Sequence, residues 1–207
     1  MKIVKPNLRK NLNNVELDYT MINEDLIDLE IINQVIDFKI DNICFNGCKF
    51  INVDFSRYPL KKVSLIDCIF EKCNLSGSDF SNTSIYRCTF EECNLLGSNF
   101  IMSGIIDVSI IDSKCDYINF SDCKFKHFLL KNSLVKEGRV VHSILDDVSF
   151  ENVNFNESEF LNTKLGGIDF SSCNINNIGI TTNDIKGVIV SEEQALMLIN
   201  LFGIVVK

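Results

Sequence analysis

The sequence predicts an all-β fold: a tube of short parallel strands that turns a corner every five residues. Three observations predict it. From Phe45 to Val190 every fifth residue is apolar, thirty in succession. With 46% of the chain hydrophobic, chance would give such a run about once in 10^10. Two residues ahead of most of these lies a second column of smaller side chains, among them Cys48, Val53, Cys68, Cys73, Ser78, Thr83, Cys88, Cys93, Ser98 and Ser103. The positions between the columns are mostly Asp, Asn, Lys, Glu, Ser and Gly.

A period of five matches neither the 3.6 of a helix nor the two of a long strand. It matches a side that sends one large and one small side chain inward and three residues outward. Four such sides close a coil in about twenty residues. Residues twenty apart then stack at the ~4.8 Å spacing of neighbouring strands. Phe50, Phe70 and Phe90 are expected on one face with Cys48, Cys68 and Cys88, and Phe80, Phe100, Phe120 and Phe160 on another. Gly77 and Gly97 share a corner where a left-handed backbone is useful.

Residues 1–40 lose this period and are read as an amino-terminal cap; residues 41–190 form the coil. Within it, residues 131–143 are the least regular, with Gly138 in the small column, and the sequence leaves open whether they bulge out near 136–140. After Val190, Ser191-Glu192-Glu193-Gln194 has the form of a capping box, with Ser191 as N-cap and Gln194 at N3. A short apolar helix follows, Gly203 stops it, and Ile204 to Val206 read as a short β run. A helix apolar all round cannot stay exposed. One face covers the last coil, and the rest calls for a second copy of the chain.

The units CNLSG (73–77), SDFSN (78–82), CNLLG (93–97), SNFIM (98–102), VNFNE (153–157), SEFLN (158–162) and IDFSS (168–172) resemble the A-(D/N)-(L/F)-x-x consensus of the pentapeptide-repeat family. The resemblance covers about 150 residues and implies a right-handed quadrilateral parallel β-helix, a pentapeptide-repeat solenoid, with a short C-terminal capping helix. The stretch DIKGVIVSEEQALMLINLFGIVVK is similar to the carboxyl terminus of the Qnr/MfpA-like subgroup, whose helix and terminal strand form a head-to-head dimer. Carried over, Gln194, Ala195, Leu198, Leu201, Phe202, Ile204, Val205 and Val206 become the dimer seam. The unbroken frame through residues 131–143 looks more like the members that lack projecting loops.

The subgroup resemblance implies a DNA mimic that binds a type II topoisomerase, DNA gyrase or topoisomerase IV, and protects it from quinolones or peptide toxins. The net charge of −8 is placed to suit this. Residues 144–207 carry nine acids and three bases, whereas residues 41–143 carry twelve of each. The candidate acidic patch is Asp146, Asp147, Glu151, Glu157, Glu159, Asp169 and Asp184. A dimer rod of about 75–90 Å would stand against B-DNA carrying about 45–50 charges. Two chains at −8 bring only 16, so mimicry would rest on shape and a focused patch. The alternative is a general scaffold for some other protein partner, since a fold alone does not carry function.

No enzyme is expected. His127 and His142 fall at outward positions without a nucleophile beside them, and there is no GxGxxG, Walker loop or HExxH. No cofactor and no metal are expected, because nine cysteines without a CxxC pair offer no converging ligands. The spacing of stacked cysteines falls within disulfide range, but with no secretory h-region at the start the expected compartment is the cytosol, where thiols stay reduced. No direct nucleic acid or membrane partner is expected: the surface is acidic, and no apolar run approaches the ~18 residues of a spanning helix.

Overall fold

The structure, a computed structural model, describes residues 2–22 and 24–205. Its strands are β1 (Asn13–Asn14), β2 (Leu26–Ile27), β3 (Leu29–Ile32), β4 (Cys44–Asn46), β5 (Lys49–Ile51), β6 (Ser64–Ile66), β7 (Ile69–Glu71), β8 (Ser84–Glu91), β9 (Gly104–Ile111), β10 (Lys124–Lys131) and β11 (Ile144–Glu151). Every pairing is parallel, and from β4 onward each residue lies opposite the one twenty later: Phe45 opposite Leu65, Phe70 opposite Phe90, Phe125 opposite Leu145. The other two sides are held by single bridges repeating at the same interval, such as Asn74 to Asn94 to Lys114 and Asn99 to Asn119 to Arg139. The chain is thus an all-β parallel solenoid of about seven turns, four sides to a turn, ending in one short helix.

Twenty-six of the thirty fifth-position residues are buried; Leu145, Ile180, Ile185 and Val190 are half-buried. Like stacks on like. The rings of Phe50, Phe70 and Phe90 lie 4.6 and 5.0 Å apart and within 7° of parallel. Phe80, Phe100 and Phe120 continue the pattern at 4.8 and 5.0 Å. Phe160 does not extend that ladder: Val140 holds the intervening rung, and Phe160 packs edge-on against Phe155 and Phe170 instead.

The small column carries a hydrogen-bond ladder of its own. Many of its polar side chains reach the backbone carbonyl twenty-three residues back: Ser98 Oγ to Leu75, Ser143 Oγ to Phe120, Cys68 Sγ to Phe45, Cys93 Sγ to Phe70. Ser, Thr and Cys therefore interchange here, because each is small and each can donate to that oxygen. All nine thiols are free.

Corners are made by the residue two after each large one. Among the described residues twenty-four non-glycine ones have a left-handed φ, nearly all at this position, including Arg87 (51°), Met102 (57°), Tyr117 (60°) and His127 (52°). Gly77 and Gly97 share such a corner as expected, at 68° and 63°. Left-handed backbone costs a non-glycine residue about 1–2 kcal/mol. The repeat accepts that cost at coil after coil, offset by the burial on either side.

Two features depart from the sequence reading. The coil is already under way at Leu26. Leu26, Ile31 and Ile36 are buried at five-residue spacing, one residue out of frame with Ile40 and Phe45. Leu26 accordingly pairs with Phe45 at an interval of nineteen. The lid over the first coil is shorter than expected: β1, and a 3-10 turn at Tyr19–Met21 capped by Asp18, with Leu17 buried beneath. The irregular place is also not 131–143, which keeps full register from Lys131–Glu151 to Arg139–Glu159. It is Pro59. Proline has no N–H to give to the preceding coil, and Lys61 takes the bridge instead, pairing down to Asp41 and up to Asp79 at intervals of twenty and eighteen. Ser78, whose carbonyl partner would be Phe55 in the disturbed stretch, is left with a buried unpaired hydroxyl.

Candidate protein-binding surface

The interior offers no room for chemistry where the aromatic packing is densest. A void lined by Phe120, Phe125, Phe128 and Phe155 measures about 10 Å³, too small for an organic ligand. Burial raises Cys68 well above its ordinary range and pushes Cys123 up to about 12. Among the described residues no group of His, Cys, Asp and Glu is placed to hold a metal, and no helix is long and apolar enough to cross a membrane.

The carboxyl-terminal helix forms as read. Helix α1 spans Glu192–Leu198 and passes into a 3-10 turn at Ile199–Phe202, which Gly203 ends with φ 69°. The capping box is complete: Ser191 Oγ accepts from Gln194 N, and Gln194 Oε1 from Ser191 N. Gln194, expected in the dimer seam, is instead buried in the chain's own cap, its Nε2 donating to Phe170 O at 2.8 Å and Cys173 O at 2.7 Å. Leu198 likewise packs on the last coil beside Ile178, Ile185 and Val190. Ala195, Leu201, Phe202, Ile204 and Val205 are exposed, as are Leu196 and Met197. No strand forms at Ile204–Val205, which have no neighbour to pair with, and Val206 lies outside the described residues.

The acidic candidates do not form one free patch. Asp184 is buried, and its carboxylate accepts from Asn162 N and Thr181 Oγ1. It is an internal brace, hidden from a count of the repeat because the last coil deviates from it. Asp169 turns back on Ser171, whose hydroxyl first and whose N–H second hold the carboxyl below its ordinary range. The other five sit in one coil, 144–163, which has no base. They are spread over its sides. The coil beneath, 124–143, carries five bases and one acid, and these point up at them: Lys131 pairs with Glu151, Lys136 with Glu157 and Arg139 with Glu159. An acidic ring thus rests on a basic one. Asp146 and Asp147 are exposed and have no such pairing.

One surface feature had no signal in the repeat. The amino-terminal residues 2–12 run along an outer corner of the coil against the direction of winding. Val4 N donates to Asp107 Oδ1 at 3.0 Å, Asn7 N to Asp67 Oδ1 at 2.8 Å, and Arg9 pairs with Asp28. Asp67 also takes both arms of Arg87, and Asp107 lies 3.0 Å from His127 Nδ1. Burial raises the Asp67 carboxyl, but the Arg87 and Asn7 bonds outweigh it and hold it below its ordinary value.

The pentapeptide repeat region matches residues 63–140 and, one coil further on, residues 83–160. The chain is a pentapeptide-repeat protein. No curated protein matches it. Among solved structures this pentapeptide-repeat protein is similar to full-length QnrB1, a plasmid-mediated fluoroquinolone resistance protein, at 20% identity over 93% of this chain and 95% of that one, with a TM-score of 0.46. It is similar to HetL, involved in heterocyst differentiation regulation in the cyanobacterium Nostoc, at 12% identity over 80% and 84%, TM-score 0.41. It is also similar to a pentapeptide repeat protein of the Arabidopsis thaliana thylakoid lumen, at 11% identity over 62% and 72%, TM-score 0.34. At these identities and scores nothing about function follows from the likeness.

Proposed function

We propose that this pentapeptide-repeat protein is a homodimeric rod that binds a type II topoisomerase, DNA gyrase or topoisomerase IV, in the cytosol and shields it from quinolones or peptide toxins. The observation that carries the reading is the rod's end. The stretch from Asp184 to Val205, which resembles the Qnr/MfpA-like terminus, leaves Leu196, Met197, Leu201, Phe202, Ile204 and Val205 bare beyond a completed cap. A contiguous apolar end of this kind suits a second copy, which would double the rod.

Recognition of the enzyme would rest on shape more than on charge. Three carboxylates of the acidic ring are matched by cations one coil below, and a stiff rod presenting Asp146 and Asp147 near its centre is what remains. That same compensation favours the second reading, a scaffold for a different protein partner. A supercoiling assay separates them. Adding the protein to gyrase with and without a fluoroquinolone should rescue activity at low protein and inhibit it at high protein. No effect on gyrase or on topoisomerase IV, together with no retention of either on the immobilised protein, would leave the scaffold.

A further inference from the structure

We propose that the outer corner through Asp67 and Asp107 is a docking groove for an extended basic peptide of a partner protein, and that the amino-terminal segment is a strap occupying it by the same contacts. The inference does not depend on which enzyme the rod binds.

The strap's chemistry is plain. Residues 2–12 contain Lys2, Lys5, Arg9 and Lys10 and no acid. They form no helix or strand. Their anchors are main-chain N–H groups on carboxylates, so the corner reads backbone and charge, and another sequence could satisfy it equally. The spacing is matched as well. Asp67 and Asp107 are two coils apart, about 9.6 Å, and the N–H groups they hold are three residues apart, about 10 Å in an extended chain. This is a ladder that another extended basic segment can climb.

The groove has depth. Asp67 and Asp107 are 6% and 5% exposed, whereas Asp147, two coils further along the same corner, is open to solvent. Ile3 and Pro6 lie over the outer face of the sheet near Ile69, Ile111 and Leu129, and a cleft of about 400 Å³ remains beside them. Arg87 and His127 brace the two carboxylates from the neighbouring rungs, so the acceptors stay in place when the strap leaves. A competing peptide with larger apolar side chains at the places of Ile3 and Pro6 would fill the cleft. The tether gives the strap an effective concentration in the millimolar range, which such a competitor must beat.

The test uses the full chain and, as probe, a fluorescent synthetic peptide of residues 1–12. The variant K2E/K5E/R9E loosens the chain's own strap without touching the solenoid. It should bind the peptide at least tenfold more tightly than the unaltered chain, and adding D67N/D107N should abolish that binding. A peptide with its four bases replaced by Glu should not bind. In the unaltered chain, millimolar peptide should speed hydrogen exchange at the Val4 and Asn7 amides at least tenfold and leave the coil amides unchanged, a readout that needs no variant to fold. Failure of the loosened chain to bind, binding that survives loss of both carboxylates, equal binding of the acidic peptide, or strap amides that stay protected would each overturn the proposal.

Discussion

Lys131 Nζ lies 2.7 Å from Glu151 Oε2, one coil above it and directly opposite in the strand register. The pair is one of several that join a basic rung to an acidic one, and it decides where charge is free to meet a partner. Asp147 shares the acidic rung but has no cation below it, since its corner neighbour is His127, turned toward Asp107. Reversing charge at Asp146 and Asp147 together should therefore weaken topoisomerase protection more than E151Q does. Protection titrations on gyrase check this, and equal losses would contradict it. The E151Q change should alter unfolding free energy by less than about 1 kcal/mol, as half-exposed ion pairs generally do.

Phe70 sits between Phe50 and Phe90 in the parallel ring stack. Truncation there empties the middle of the tube with no side chain positioned to move in. Phe70→Ala should cost about 3–5 kcal/mol, read from the shift in urea midpoint, while Leu96→Ala on the exposed face of a coil should stay within about 0.5 kcal/mol.

The carboxyl-terminal seam can be tested without disturbing the cap. Phe202 is 56% exposed and Val205 80%, so F202D and V205D should leave the melting temperature nearly unchanged and convert dimers to monomers in sedimentation. An unchanged dimer would remove this end from the interface. Leu198→Asp is the wrong probe, since that residue packs on the last coil.

The thiols should be inert. Eight are buried and the ninth, Cys44, is half-buried, with burial followed by Asp25 raising it. At neutral pH a disulfide-exchange reagent should find fewer than one reactive thiol per native chain and nine in denaturant, with no change under reductant.

Acid should release the strap. Asp67 has a carboxyl depressed below 3.8, so its contribution is complete above that value and is lost as the pH falls through the lower folded-state pKa. The amide shift of Asn7 should follow a transition centred below pH 3.8. A midpoint above that value would show that Asp67 does not hold the segment.

Much of this was legible from the sequence. A repeat prescribes its own register, so the faces of Phe50 and Cys48 follow from counting, and the Ser191–Gln194 box follows from its spacing. Other features were not legible, for physical reasons. Leu26, Ile31 and Ile36 keep the period in a frame shifted by one residue, which a single-frame count misses. Asp184 looks like any outward acid until the end of the coil folds over it. Net charge by segment concealed the stacking of Lys131, Lys136 and Arg139 under Glu151, Glu157 and Glu159, because a twenty-residue interval turns distant residues into neighbours. The strap follows no period at all, and the carboxylates that hold it, Asp67 and Asp107, take its main-chain N–H groups, which no residue type announces.

The displaced bridge at Pro59 has a mechanical consequence. From β8 onward the wall of the tube is bonded at equal intervals of twenty residues, so a pull along the axis is shared by those rungs. Between Phe55 and Lys62 one donor is missing, a bridge has slid by two residues, and the Ser78 hydroxyl hangs unpaired above. Tension would concentrate at that level, and the first coils would peel from the rest there before the long strands β8 to β11 gave way.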